Sequence, residues 1–421
     1  MCCPHVEQGV AEPAEEPPLP DAVPAEPVQV VQDEAAYVDA VERITAGTGP
    51  IAVDAERASG FRYSQRAYLI QLFRRGSGTV LLDPTAFPDL SALADAMRGE
   101  EWVLHAASQD LACLREVGLD PDRIFDTELA ARLLGLERVG LGAVVESLLG
   151  LHLAKEHSAA DWSTRPLPTP WLVYAALDVE LLVDVRDAEE AMLTEAGKAA
   201  IAQQEFESVR VREGRPAPAE PWRRLSGVHS VRGARNLAVA RALWQARDDY
   251  ARAIDAAPGR LVPDASLVAV ARTLPSTKRE LAGRRDFTGR ASRSEIDRWW
   301  TAVETGLAAD PPAVRAQSDA LPPPRAWADR NPDADRRLKA ARPRLVALAE
   351  ELGLPTENLL APDALRRTAW SPPEPLDVDG VAAALAEHGA RPWQVVATAQ
   401  AITDAFVSAL QIAEDGAEPE S

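Results

Sequence analysis

Two carboxylates, Asp54 and Glu56, stand two positions apart directly after the apolar run Ile51-Ala52-Val53. Side chains of an extended chain alternate faces with period two, so both acids project from one side of a strand end. A third acid, Asp110, closes the segment His105-Ala106-Ala107-Ser108-Gln109-Asp110-Leu111, in which Ser108 can cap a helix and Asp110 falls in its first turn. A fourth, Asp178, follows Tyr174 by four positions, a spacing that puts phenol and carboxylate on one helix face. Each has an ordinary structural explanation by itself: a solvated strand end, an acid favoured by the helix dipole, a core tyrosine. Together they form an oxygen donor set. Phosphodiester cleavage with two divalent ions needs several carboxylates converging on metals roughly 3.5–4 Å apart. Mg²⁺ prefers few protein oxygens beside water and phosphate, so a small cluster suffices.

The elements that must position these residues follow from apolar patterning. An amphipathic helix spans Glu34 to Ile44 and ends near Gly47 and Gly49. Strands are expected at Ile51–Val53, Tyr68–Phe73, Thr79–Leu82 and Trp102–Leu104. Helices follow at about Gln109–Val117, Thr127–Leu134, Leu141–Leu149 and from Pro170 into the 180s. Strands that cluster first and then interleave with helices imply a mixed-sheet α/β domain over residues 34–206. Before it, residues 1–33 read as a disordered acidic, Pro-rich leader. After a linker at 207–221 no strand is evident. Residues 222–308 and 325–411 read as two helical domains separated by a linker at 309–324, with an acidic tail at 412–421. Ser292 and Glu295 have capping-box spacing ahead of the helix with Trp299 and Trp300. Leu261-Val262-Pro263-Asp264-Ala265 is echoed by Leu360-Ala361-Pro362-Asp363-Ala364, which suggests a duplicated helical unit.

At 421 residues the chain exceeds one ordinary core. No apolar run reaches the roughly 18 residues needed to span a bilayer, and the opening residues lack the pattern of a secretory signal. Three cysteines without framework spacing suit a reducing cytosol, and Cys2, Cys3 and His5 are read as chance neighbours rather than half a metal site. The net charge of −20 is unevenly distributed: residues 36–206 carry −12, whereas residues 207–330 carry +7. The middle segment could therefore track a phosphate backbone. With only four lysines in the chain, its arginines also reflect a compositional bias. No G-x-x-x-x-G-K-[ST] loop occurs, which argues against a nucleotide cofactor.

In this order and at these separations the three acidic segments resemble the DEDD exonuclease superfamily. Tyr174 four before Asp178 fits its tyrosine subclass; the histidine subclass would want His where this chain has Val173. The match tightens toward the ribonuclease D family. Leu69-Ile70-Gln71-Leu72, His105–Leu111, Phe125-Asp126-Thr127, and Lys155, Ser158, Asp161-Trp162-Ser163 and Arg165-Pro166-Leu167 resemble that family's successive landmarks. The two helical regions resemble HRDC domains, residues 222–308 more closely than 325–411.

The resemblance implies an α/β ribonuclease H-like exonuclease domain, a mixed sheet with flanking helices, followed by two all-α HRDC-like domains. It implies two divalent ions, Mg²⁺ or Mn²⁺, with Asp54 bridging both, Glu56 and Asp178 completing one site and Asp110 holding the other. Tyr174 would orient the attacking water, and His105, Lys155 and Arg165 are candidates for substrate contact. The implied partner is RNA with a free 3′-hydroxyl end, such as a tRNA precursor, trimmed to nucleoside 5′-monophosphates by a cytoplasmic monomer without membrane contact. A DNA 3′→5′ exonuclease and a catalytically silent nucleic-acid adaptor are the alternatives. The adaptor should have lost a ligand, and this chain keeps all five residues.

Overall fold

The computed structural model describes residues 18–154, 157, 159–214, 218–314 and 321–415. Cys2, Cys3, His5, Lys155 and Ser158 lie outside the described residues.

The apolar runs assemble into one six-stranded sheet of order β1-β4-β3-β2-β5-β6. Its strands are β1 (Val30–Val31), β2 (Thr48–Arg57), β3 (Ala67–Arg75), β4 (Gly78–Leu82), β5 (Glu101–Leu104) and β6 (Arg123–Asp126). The pairs β2/β3 and β3/β4 are antiparallel; β1/β4, β2/β5 and β5/β6 are parallel. Between Glu56 and Arg57 the β2/β3 register slips, Glu56 facing Leu69 and Arg57 facing Ala67.

Helices α1 (Glu34–Ala46), α2 (Ser91–Ala96), α3 (Leu111–Glu116), α4 (Thr127–Leu133), α5 (Leu141–Leu149), α6 (Thr169–Glu180), α7 (Leu182–Glu195) and α8 (Ala199–Arg210) flank the sheet. In α1, Asp33 caps by accepting from Ala36 N–H at 3.0 Å, and Tyr37, Ala40 and Ile44 form the buried stripe. Helix α6 starts with Pro170 near its N-terminus, where a missing N–H costs nothing, and packs across β2, β3 and β4.

Two elements were not anticipated. Residues 18–33, expected to be disordered, are held by the sheet: Val30–Val31 pairs with Leu81–Leu82, and Ala22 N–H donates to His152 O at 2.9 Å. Alternating apolar residues in Val28-Gln29-Val30-Val31 supply an edge strand inside a Pro-rich stretch. Strand β6 is only four residues long, too short for a periodicity signal.

Beyond α8 the described chain is helical. The first unit comprises α9 (Ala234–Ala253), α10 (Pro258–Leu261), α11 (Asp264–Thr273), α12 (Lys278–Gly283) and α13 (Ile296–Ala308), with α9 packed on α13. The second comprises α14 (Trp327–Arg330), α15 (Pro332–Glu351), α16 (Thr356–Leu359), α17 (Pro362–Trp370), α18 (Val378–Glu387) and α19 (Pro392–Asp415), with α15 packed on α19. The echoed Pro-Asp segments open α11 and α17, each one turn after a four-residue helix. The expected capping box does not form: Ser292 Oγ donates to Gly289 O at 2.8 Å, and Glu295 pairs with Arg298 instead. Helix α13 begins at Ile296 with Glu295 itself in the N-cap position, so Ser292 lies three residues before the cap rather than at it.

Both units dock on the sheet domain. Asp255 accepts from Tyr63 N–H (3.1 Å), Ser64 N–H (2.9 Å) and Tyr68 Oη (3.1 Å), while Arg260 donates to Gly60 O and lies 3.8 Å over the Phe61 ring. These contacts grip the loop joining β2 to β3. At the second unit Glu205 of α8 accepts from Trp393 Nε1 at 2.7 Å and from Arg391 Nη2 at 2.6 Å. No described helix is long and apolar enough to cross a membrane.

Candidate active site

Strand alternation places Asp54 and Glu56 on the sheet face covered by α6, and the i, i+4 spacing on α6 turns Tyr174 and Asp178 toward them. Carboxylate oxygens of Asp54, Glu56 and Asp178 lie within 4.8 Å of one another. Asp110 stands outside that trio but lines the same pocket, about 550 Å³, with Tyr174 and His105. The sequence expected Ser108 to cap a helix here. Instead the turn is made by Ala106 in the left-handed region (φ 61°, ψ 51°), and Asp110 itself begins α3 without a side-chain capping bond. Its carboxylate faces the pocket, with Arg57 Nη2 at 3.8 Å.

Asp126 holds that turn. Its Oδ1 accepts from Ala106 N–H at 3.0 Å and Leu129 N–H at 3.1 Å, and its Oδ2 accepts from Ala107 N–H at 2.9 Å. One buried carboxylate thus caps α4 and fixes the strained backbone ahead of Asp110. The sequence marked Phe125-Asp126-Thr127 as a landmark without revealing this use.

The pocket penalises negative charge. Burial, reinforced by the neighbouring acids Asp54, Asp178 and Asp110, pushes Glu56 up to about 10. Burial and Asp54 raise Asp110 to about 8. Asp54 and Asp178 are raised mainly by burial, and Tyr174 is raised by burial and the charge of Asp178. Four acids in so small a desolvated space are ionised together only beside compensating positive charge. The donor set consists of oxygens alone, which suits hard divalent cations. Asp54, Glu56, Asp110 and Asp178 therefore fit as holders of Mg²⁺ or Mn²⁺.

The other substrate candidates separate. Burial lowers His105 to about 4, so its imidazole is neutral near pH 7; Nδ1 lies 2.8 Å from Thr127 Oγ1. Lys155 is outside the described residues. Arg165 lies outside the pocket lining, and its guanidinium donates to Asp83 Oδ2 (2.6 Å), Trp162 O (2.8 Å), Thr164 O (2.8 Å) and Tyr68 O (2.7 Å). Arg165→Ala should lower stability by about 2–3 kcal/mol, since Asp83 is left buried and unpaired. A denaturant melt checks this, and KM for a 3′-ended RNA should not change.

Behind the site, the fully buried Glu189 carboxylate of α7 has no hydrogen-bond partner among the described residues. Burial and then the charge of Asp126 push it up to about 9. The folded state thus holds a proton that the unfolded chain releases near pH 4.5. Stability from this group is full below that value and is lost as pH rises toward 9. Glu189→Gln should therefore flatten the decline of the melting temperature between pH 5 and 9, leaving the variant about 3–6 °C above the parent at pH 8.5.

Comparison with known proteins agrees with this architecture. Residues 28–193 match the family described as 3′-5′ exonuclease, residues 236–303 the HRDC domain, and residues 320–406 the 3′ to 5′ exonuclease C-terminal domain. The second helical unit, expected to be HRDC-like, thus matches a separate family description. A crystal structure of a protein from Bifidobacterium adolescentis is 37% identical, with a TM-score of 0.85 over 93% of this chain and 100% of that one. Escherichia coli RNase D shares the fold at 24% identity, TM-score 0.65, over 91% of this chain and 98% of its own. Ribonuclease D of Pseudomonas paraeruginosa is 33% identical over 221 residues, 52% of this chain and 58% of that protein. The chain spans about three-fifths of the length of the first such curated relatives. Fold and site define an exonuclease-type domain carrying helical modules. The chain carries a 3′-5′ exonuclease domain and an HRDC domain, and over about half of its length it is similar to proteins named ribonuclease D.

Proposed function

We propose that this chain is a 3′→5′ exoribonuclease that removes nucleoside 5′-monophosphates from RNA ending in a free 3′-hydroxyl. The observation that carries the reading is the convergence of Asp54, Glu56 and Asp178 within 4.8 Å, with Asp110 and Tyr174 in the same pocket. Asp54, Glu56 and Asp178 would hold one divalent cation, and Asp54 and Asp110 a second. When bound, such cations make water a nucleophile near neutral pH and stabilise the departing oxygen. The water gives up a proton to solvent as its oxygen bonds to the terminal phosphorus, the bond from phosphorus to the preceding 3′ oxygen breaks, and that oxygen takes up a proton from solvent.

Tyr174 stays a neutral phenol at working pH, because burial and Asp178 raise it. It therefore orients the water by hydrogen bonding and does not act as a base. Neutral His105 offers a ring and a hydrogen-bonding nitrogen to the end nucleotide, not a charge. The first helical unit suits the body of a structured RNA such as a tRNA precursor: residues 222–300 carry 16 bases against 8 acids. The setting proposed is a cytoplasmic monomer.

The test compares labelled RNA and DNA of one sequence, with 3′-hydroxyl or 3′-phosphate ends, in Mg²⁺ and in Mn²⁺. Shortening of 3′-hydroxyl RNA to 5′-monophosphates is expected. Trimming of DNA but not RNA would overturn the substrate assignment.

A further inference from the structure

Arg57 follows Glu56 directly, so strict strand alternation would send it to the face opposite the acids. The structure departs from that rule at this step. Glu56 pairs with Leu69 but Arg57 with Ala67, so one residue of β3 is passed over between them. Irregularities of this kind re-aim side chains and recur beside active sites. Here Arg57 joins Asp54, Glu56 and Asp110 in lining the pocket.

Among the described residues Arg57 is the only Lys or Arg in that lining. Its ion-pair partner, Asp110, is 3.8 Å away, too far for a hydrogen bond, and the guanidinium makes no side-chain hydrogen bond among the described residues. Nearby arginines are committed elsewhere. Arg62 donates to Ser163 Oγ at 2.8 Å, Arg66 lies over the Tyr68 ring, and Arg165 is spent on Asp83 and three carbonyls. The Arg57 side chain is 28% exposed, at the mouth of the pocket rather than under it. A rigid fork of uncommitted donors beside an oxygen-lined cation site matches one ligand chemistry, a phosphate oxygen.

Resting on the nuclease reading above, we propose that Arg57 holds a non-bridging oxygen of the phosphodiester being cut. Its donors meet the charge that gathers on those oxygens as the bond to the leaving 3′ oxygen breaks. Arg57 is then a catalytic residue of the phosphate side, distinct from the carboxylates that hold the cations.

The experiment uses the full chain with Arg57→Ala and Arg57→Lys, each first checked for an unchanged melting curve. Single-turnover hydrolysis of a 3′-hydroxyl RNA is measured across a Mg²⁺ titration, and adenosine 5′-monophosphate binding is measured in Ca²⁺. The alanine variant should cut about 10–100-fold more slowly at saturating Mg²⁺. Free guanidinium should restore part of that rate, and Lys should lie between Ala and Arg. Nucleotide binding should weaken in parallel. A rate equal to the parent's overturns the proposal, as does a loss fully reversed by more Mg²⁺, which would place the work of Arg57 on Asp110. Should the parent itself cut no RNA, the nuclease reading fails. Nucleotide binding then decides the Arg57 contact alone: weakened binding in Arg57→Ala supports it and equal binding overturns it.

Discussion

Asp54→Asn should slow single-turnover release of 5′-monophosphates by at least about a thousandfold while raising the melting temperature of the metal-free chain. The first effect follows from the position of Asp54 in the cluster. Its charge acts on Glu56, on Asp110 and on Asp178, and among neighbouring charges it is the leading one on each. No other acid of the pocket is central to all the rest. Neutralising it takes a ligand from both proposed cation positions. The second effect has the opposite sign, because the same centrality makes Asp54 the largest source of repulsion within the pocket. A folding defect would lower both readings; removal of a metal ligand separates them. Isothermal titration with Mn²⁺ and a thermal melt in chelator check the pair.

Asp126→Asn is expected to lower kcat by about 10–100-fold with little change in KM, although Asp126 touches neither cations nor substrate. The carboxylate receives three N–H groups, two of them from the turn at Ala106 and Ala107. An amide offers one acceptor oxygen and sets an NH₂ group against the remaining donors. Ala106 has a left-handed conformation that costs roughly 1–2 kcal/mol and persists only while its surroundings impose it. Once released, the turn no longer places Asp110. Stability should also drop by about 2–3 kcal/mol, and a urea titration beside steady-state kinetics reads both.

These two residues differ in how legible they were. Asp54, Glu56, Tyr174 and Asp178 are displayed by strand and helix periods, so spacing alone put each pair on a common face. Asp110 was located from its segment, but the reason it faces the pocket was not readable. That reason is a backbone turn through Ala106, imposed by a residue twenty positions later. Arg57 was missed because the period-two rule that exposed Asp54 and Glu56 assigns it to the wrong side, and a register slip leaves no local signature. Arg165 shows another limit: a cation in a landmark segment gives no sign of whether its donors are already committed to its own fold. Short edge elements such as β1 and β6 were lost because two to four residues carry too little periodicity. Long-range pairing, rather than local preference, makes them strands.

The hold of Asp255 on Tyr63, Ser64 and Tyr68 has a consequence for how the chain can be divided. The loop it restrains leaves the sheet at Arg57, immediately after the first two acids, so the geometry of the cutting end is finished by a neighbour almost two hundred residues downstream. Excising the catalytic half would preserve every ligand and yet return that loop to its own devices. A shortened enzyme would therefore fail by imprecision rather than by absence, retaining cations while misplacing the strand to be cut.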